Sequence, residues 1–226
     1  MKTKIFILLL LSIIKINSQI KIDFSLNSNK NKAKINIIND TDEYLIIPLD
    51  LASLRPYYND ICLDMNEYEY PYPTLGFNIL LKQGDNIIES SANSEIPNDT
   101  ILIKKEFNKQ TLKRNDNIKK ISSWKRKNHF ETFEKAKMNF YVFNNLLYLK
   151  PRQVLSFNFI FNLDNITNQK YFHSYYPMNK YNKYSVCVFY EVKQCVYDYL
   201  SSSQIEILKK YKFFTGKIES NKINLE

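Results

Sequence analysis

Glycine is nearly missing from this 226-residue chain, which holds only Gly76, Gly84 and Gly216. A P-loop, a dinucleotide fingerprint and a G-x-S-x-G elbow each need glycines at fixed spacing, so that backbone can approach a phosphate or turn sharply. No such spacing occurs, and most nucleotide enzymes are excluded with it. Histidine is as scarce: His129 and His173 are the pair, with neither H-x-H nor H-x-x-x-H spacing. A zinc site would have to be assembled from distant single ligands. Arginine is short too, with 4 Arg among 32 basic residues. Arginine is the residue that recognises phosphates and bases bidentately, and a genome rich in A/T codons explains the excess of Lys, Asn, Ile, Tyr and Phe without a ligand. Nucleic acid is not an expected partner.

Three cysteines, Cys62, Cys187 and Cys195, are too few for a disulfide scaffold and have no metal-finger spacing. Cys187 and Cys195 flank a stretch that reads as a hairpin centred near Glu191, where they can lie opposite each other. The favoured expectation is an unpaired buried thiol at each position. A Cys187–His173 nucleophile and base need only meet in space, but a mid-strand thiol among apolar residues is inert by default. Long apolar runs are limited to one, Ile5–Ile14, broken only by Ser12. With Lys2 and Lys4 ahead of it and Ile16-Asn17-Ser18 after it, this run reads as a secretory signal peptide over residues 1–18, cleaved before Gln19. It falls short of the ~20 apolar residues that span a bilayer. The mature chain, 19–226, is therefore expected to fold as one domain in the periplasm or outside the cell, with no transmembrane segment.

Charge is abundant but local. Of the net +9, three charges leave with residues 1–18. The segment 104–137 holds twelve Lys or Arg against four acids, so the rest of the mature chain is slightly negative. Within this segment Ile118, Ile121 and Trp124, and then Phe130 and Phe133, recur at a spacing of three, which permits one or two short amphipathic helices. The expectation is a lysine-coated insertion, solvated on one side and pinned by Trp124 and Phe133; the functional alternative is a patch for an acidic partner or a membrane surface.

The clearest structural signal is a two-residue period. Leu155, Phe157, Phe159 and Phe161 alternate with polar residues, and Leu147 and Leu149 do so ahead of a Lys150-Pro151-Arg152-Gln153 turn, which predicts a strand pair at the centre of the core. Ile20, Ile22, Phe24 and Leu26 open the mature chain in the same way. Further strands are predicted over 33–38, 44–48, 75–81 with 87–88, 171–176, 186–192 with 197–200 as its partner, 213–220 and 223–225, and a short one over 101–103. Residues 201–209 are predicted to make a helical turn capped by Ser202 or Ser203 ahead of Glu206. The fold class implied is all-β, an antiparallel immunoglobulin-like β-sandwich carrying the basic insertion.

Candidate sites are few. Asp40, Asp42 and Glu43 resemble the start of a calcium loop, but lack the Gly and second acidic cluster that an EF-hand needs, so a plain turn is expected. Asp60, Asp64, Glu67 and Glu69 contain carboxylates of the kind a glycosidase pairs, at a separation a loop sequence does not fix. Two tyrosine-rich loops carry Tyr57, Tyr58, Tyr68, Tyr70 and Tyr72, and then Tyr175 and Tyr176. Tyrosine offers a rigid amphipathic face at low entropic cost, so these seven are the candidate ligand-binding residues, with packing against the sandwich ends as the alternative. No catalytic, cofactor or metal-ligating residue is assigned.

The stretches KINIINDTDEYLIIPLD, LKPRQVLSFNFIF and FFTGKIESNKI, together with the signal peptide, resemble uncharacterised secreted proteins of flavobacteria and their relatives. The resemblance covers most of the mature chain. It implies a single immunoglobulin-like β-sandwich and transfers no activity and no catalytic residue. The function expected is that of an exported, non-catalytic protein that binds another envelope or secreted protein or the cell envelope itself; the alternative is a glycan-binding module using the tyrosine-rich loops.

Overall fold

Strand β1 (Ile20–Leu26) buries Ile20, Ile22 and Phe24 and leaves Lys21, Asp23 and Ser25 in water, as strict alternation requires. The computed structural model to which it belongs describes residues 20–57, 61–62, 74–94, 99–168 and 172–225. β1 pairs antiparallel with β2 (Lys32–Asn39), placing Ile22 opposite Ile37 and Phe24 opposite Ile35. The far edge of β2 takes β9 (Val154–Ile160), with Phe157 opposite Ile35 and Phe159 opposite Ala33. The outer edge of β1 is closed by a side chain: the Asn221 amide accepts from Phe24 N (2.8 Å) and donates to Phe24 O (2.9 Å), substituting for a neighbouring strand.

A second sheet has β3 (Leu45–Pro48) at its centre, flanked by antiparallel β8 (Leu146–Leu149) and parallel β12 (Lys212–Phe213). The largest sheet is built on β11 (Tyr184–Val192). One of its edges takes β5 (Asn78–Gln83), which carries β4 (Arg55–Pro56) and the hairpin strand β6 (Asn86–Ile88). The other edge takes β13 (Gly216–Glu219) and β14 (Ile223–Leu225) in succession. A two-stranded ribbon joins β7 (Ser91–Ser94) to β10 (Phe172–Tyr175). The inward faces of β5 and β11, with Ile79, Leu81, Val186, Val188 and Tyr190, form the middle of the core. There the Phe77 ring meets Tyr190 at 5.7 Å and Phe159 at 5.9 Å between centroids, edge contacts that aromatic quadrupoles favour.

Among the described residues four helices are complete: α1 (Thr100–Lys127), α2 (Phe133–Asn144), α3 (Gln194–Tyr197) and α4 (Ser202–Leu208). Their presence corrects the all-β, immunoglobulin-like reading. The fold is mixed α/β, with several small sheets, two parallel strand pairs and one long helix, rather than two antiparallel sheets face to face. The stretch 101–103, read as a strand, is the first turn of α1: the Asp99 carboxylate accepts from the N–H of Ile101 (2.8 Å) and Leu102 (3.3 Å), and no Gly or Pro follows for 28 residues. An apolar triplet fits either period, so the cap decides.

Five further expectations change. β8 and β9 do not pair with each other. The 150–153 turn, with Arg152 at φ 58°, carries the chain from the β3 sheet to the β2 sheet, since alternation fixes which face is buried and not which strand lies alongside. Leu155, Phe157 and Phe159 are accordingly half-buried at the margin of the core rather than at its centre. Residues 197–200 are not the partner of β11, because the chain leaves the sheet at Lys193 and enters α3. That departure carries Cys195 away from Cys187 and onto Cys62, with Cα atoms 6.0 Å apart in a disulfide across 133 positions; Cys187 alone is free and buried. Ser201, not Ser202 or Ser203, caps α4, in a capping box with Gln204.

Candidate functional site

Helix α1 carries ten Lys or Arg and two acids, a net +8 within 28 residues. From Thr100 to Lys120 every side chain is exposed except Glu106 and Asn117, which are half-exposed. Helices of globular proteins hide an apolar stripe against the body, and this one hides only Ile121. Ile101 is 76% exposed, Phe107 68% and Leu112 66%, so large apolar groups stand in water among lysines. The acids neutralise little: Glu106–Lys109 and Asp116–Lys119 are 3.9 Å pairs on the surface, worth a few tenths of a kcal/mol at most. Lys125, Arg126 and Lys127 lie in the last turn, where the helix dipole favours cations.

The C-terminal turns hold the helix to the body. Trp124 packs on Phe140 and Phe143 of α2, each at 5.6 Å between centroids, and its indole Nε1 donates to Asn139 Oδ1 (2.8 Å). Asn139, fully buried, passes the connection on: its Nδ2 donates to Tyr199 O (2.7 Å) and to Gln204 Oε1 (2.6 Å), while Gln204 Nε2 donates back at 3.1 Å. Gln204 Oε1 also accepts from Ser201 N (2.9 Å), so the same amide caps α4. α2 is anchored in turn by Tyr141, whose hydroxyl donates to Asp50 Oδ2 (2.8 Å) and accepts from Leu75 N (3.1 Å). Trp124 therefore fixes the segment as its sequence suggested, and Phe133 is half-buried at the start of α2. Spacing of three did not reveal that five turns ahead of Trp124 are helical and uncovered by any described element.

The other candidates disperse. Tyr58, Tyr68, Tyr70 and Tyr72, with Asp60, Asp64, Glu67 and Glu69, lie outside the described residues. Tyr176 is 1% exposed and its hydroxyl donates to Ile79 O; burial pushes that phenol up to about 12. It is a core residue, which corrects its place among the ligand-binding rings. Tyr57 is half-buried against Phe189 at 5.0 Å, and its N–H reaches the Tyr176 hydroxyl (3.3 Å). Tyr175 is a half-buried residue of β10. Elsewhere the fold gathers Tyr44, Tyr148 and Tyr211, which alternation alone did not single out. Tyr211 meets Tyr44 at 82° and Tyr148 at 60°, so these rings present edges and share no flat face for stacking a sugar.

Asp40, Asp42 and Glu43 already have cations. Asp40 pairs with Lys21 and Arg152, Asp42 with Arg152 (2.9 Å) and Glu43 with Lys212 (2.8 Å), and the Lys21 and Arg152 hydrogen bonds hold the two aspartates below the usual carboxylate range. The Cys187 thiol donates to Glu219 Oε1 at 3.3 Å rather than to a histidine. Burial, with that carboxylate beside it, pushes the thiol up to about 12, the wrong direction for a nucleophile. No group of three or more His, Cys, Asp or Glu converges on a metal position among the described residues. No helix there is long and apolar enough to cross a membrane. No family model, curated protein or solved structure matches the chain.

Proposed function

We propose that the protein is an exported, non-catalytic binding protein that docks on the anionic surface of the cell envelope through the exposed turns of α1. The disulfide suits an oxidising compartment. The observation that carries the reading is the uncovered surface from Thr100 to Lys120, cationic and studded with Ile101, Phe107 and Leu112. Its cations lie on all sides of the helix, with Lys105, Lys109 and Lys113 along one flank and Lys104, Arg114 and Lys119 on others. Charge spread in this way matches a delocalised sheet of lipid headgroups better than a shaped protein pocket, where arginine forks are the usual choice. Long lysine stems also let the apolar groups approach the acyl boundary while the ammonium groups stay wet.

Each lysine near an anionic surface contributes about 1 kcal/mol. Changing Lys104, Lys105, Lys109 and Lys113 to Gln is therefore expected to lower vesicle partitioning by roughly three orders of magnitude. These positions are clear of α2, so the melting temperature should hold. Co-sedimentation with vesicles containing phosphatidylglycerol is the assay. Binding should weaken steeply toward physiological salt, where the screening length is about 8 Å. Equal sedimentation of the wild type and the four-fold variant, or indifference to salt, overturns the proposal.

A further inference from the structure

At the end of the molecule where the β1–β2 turn, the exit of β9 and the loop before β11 converge, an open-sided cavity of about 700 Å³ is formed. That is within the range of about 300–1,000 Å³ common for small-molecule sites. Its wall is part apolar, from Phe161, Leu163, Met178, Tyr184 and Leu225. Lys30, Lys180, Asp164 and four asparagines supply the polar groups.

The asparagines are oriented by their own turns. Asn162 Oδ1 accepts from Asp164 N (2.9 Å), Asn179 Oδ1 accepts from Tyr181 N (3.0 Å), and Asn31 Oδ1 accepts from Asn27 Nδ2 (2.8 Å). In each case the acceptor end is consumed within the protein, and among the described residues the Nδ2 end has no partner. Three amide donors are thus presented with two ammonium groups, against one carboxylate. Asn182 completes the set differently, giving Nδ2 to the Tyr184 hydroxyl (3.4 Å) and keeping its oxygen. Beside the cavity Tyr181 is 81% exposed, with Lys180 Nζ 5.1 Å from its ring centroid.

We infer that this cavity binds an acidic oligosaccharide, a short chain of uronic-acid units. A donor-rich lining calls for an acceptor-rich ligand, and planar amides suit sugar hydroxyls, which accept and donate. The apolar part of the wall, where Met178 is 42% exposed, suits the C–H groups of a pyranose. Lys30 and Lys180 supply charge for carboxylates. An aliphatic carboxylate would use the lysines and the apolar wall and leave the amides unsatisfied, which costs affinity.

The test is calorimetric titration of the intact protein with tetragalacturonate at physiological salt, beside maltotetraose and decanoate. Saturable one-to-one binding of the uronate is expected, with maltotetraose at least about tenfold weaker. Lys30→Gln with Lys180→Gln should weaken the uronate by about tenfold or more. Asn162→Asp with Asn179→Asp keeps the acceptor each turn uses, and so the local fold, but removes both donors. It should weaken binding at least as much, with an unchanged circular dichroism spectrum. The α1 variant lacking four lysines should bind the uronate as the wild type does, which separates this site from the docking helix. Loss of uronate binding in the α1 variant, unchanged affinity in the cavity variants, no saturation below about 10 mM, or tighter binding of decanoate than of the uronate each overturns the inference.

Discussion

Reducing the Cys62–Cys195 disulfide should be the most damaging mild chemical change to this fold. The bridge joins positions 133 apart, and both cysteines pack partly buried against the main core. Cross-linking lowers the entropy of the unfolded chain by an amount that grows with the logarithm of the closed loop, and for a loop of this size the relation gives roughly 5 kcal/mol. A domain of ordinary stability has about 5–15 kcal/mol in total, so losing the bridge would remove a third of it or more. The assay is equilibrium urea unfolding of the oxidised protein, of the protein held in dithiothreitol and of Cys62→Ser with Cys195→Ser, followed by Trp124 fluorescence and far-ultraviolet circular dichroism. Both bridge-free forms should unfold at much lower urea, with an equal or steeper slope because the unfolded chain without the cross-link is less compact. A difference below about 1 kcal/mol between oxidised and reduced protein would refute the reasoning, since the loop would then have to be closed already in the unfolded chain.

Asn139→Ala should cost on the order of 3 kcal/mol, because it leaves the Trp124 indole N–H and the Gln204 amide unpaired in the interior; as Trp124 is the sole tryptophan, its emission should shift to the red, and an unshifted spectrum with unchanged stability would count against the network. Arg152 holds the Asp42 carboxyl below its ordinary value of 3.8, chiefly by hydrogen bonding and then by charge. A depressed folded-state value means that the stability from this pair is complete above the unfolded value and disappears as pH falls through the lower, folded one. Carboxyl-detected NMR should therefore show Asp42 titrating below 3.8 in the wild type and moving up in Arg152→Gln; coincident titrations would show that the contact is not held in solution.

Alternation made β1, β2 and β9 legible residue by residue, because a strand with one buried face writes its period directly into the sequence, whereas β5 and β11 are buried on both faces. Partnership was another matter. Leu147 and Leu149 alternate as clearly as Leu155 and Phe157, yet the four-residue turn between them changes sheet, and the side chains are the same in either arrangement. The length of α1 was missed for a different reason, although the helical turn expected over 201–209 is present as α4. α1 lacks the apolar stripe by which a helix is recognised, since its first five turns rest on nothing. Only the Asp99 cap and the freedom from Gly and Pro announce it. The candidate cavity was illegible for a third reason: Asn31, Asn162, Asn179 and Asn182 each look like ordinary turn residues, and they line one cavity only once three distant turns meet.

The position of the long helix within the covalent loop has a consequence for how the protein responds to proteolysis. α1 offers a trypsin-like protease nine exposed basic residues, and all of them lie between Cys62 and Cys195. A cut anywhere in the helix opens the polypeptide without freeing either piece. The two fragments remain one molecule, still tied beside the core, and separate on a gel only after reduction. A protease could thus cut α1 while the β1–β2–β9 sheet, the β11 sheet and the cavity beside them persist as a nicked but undivided particle.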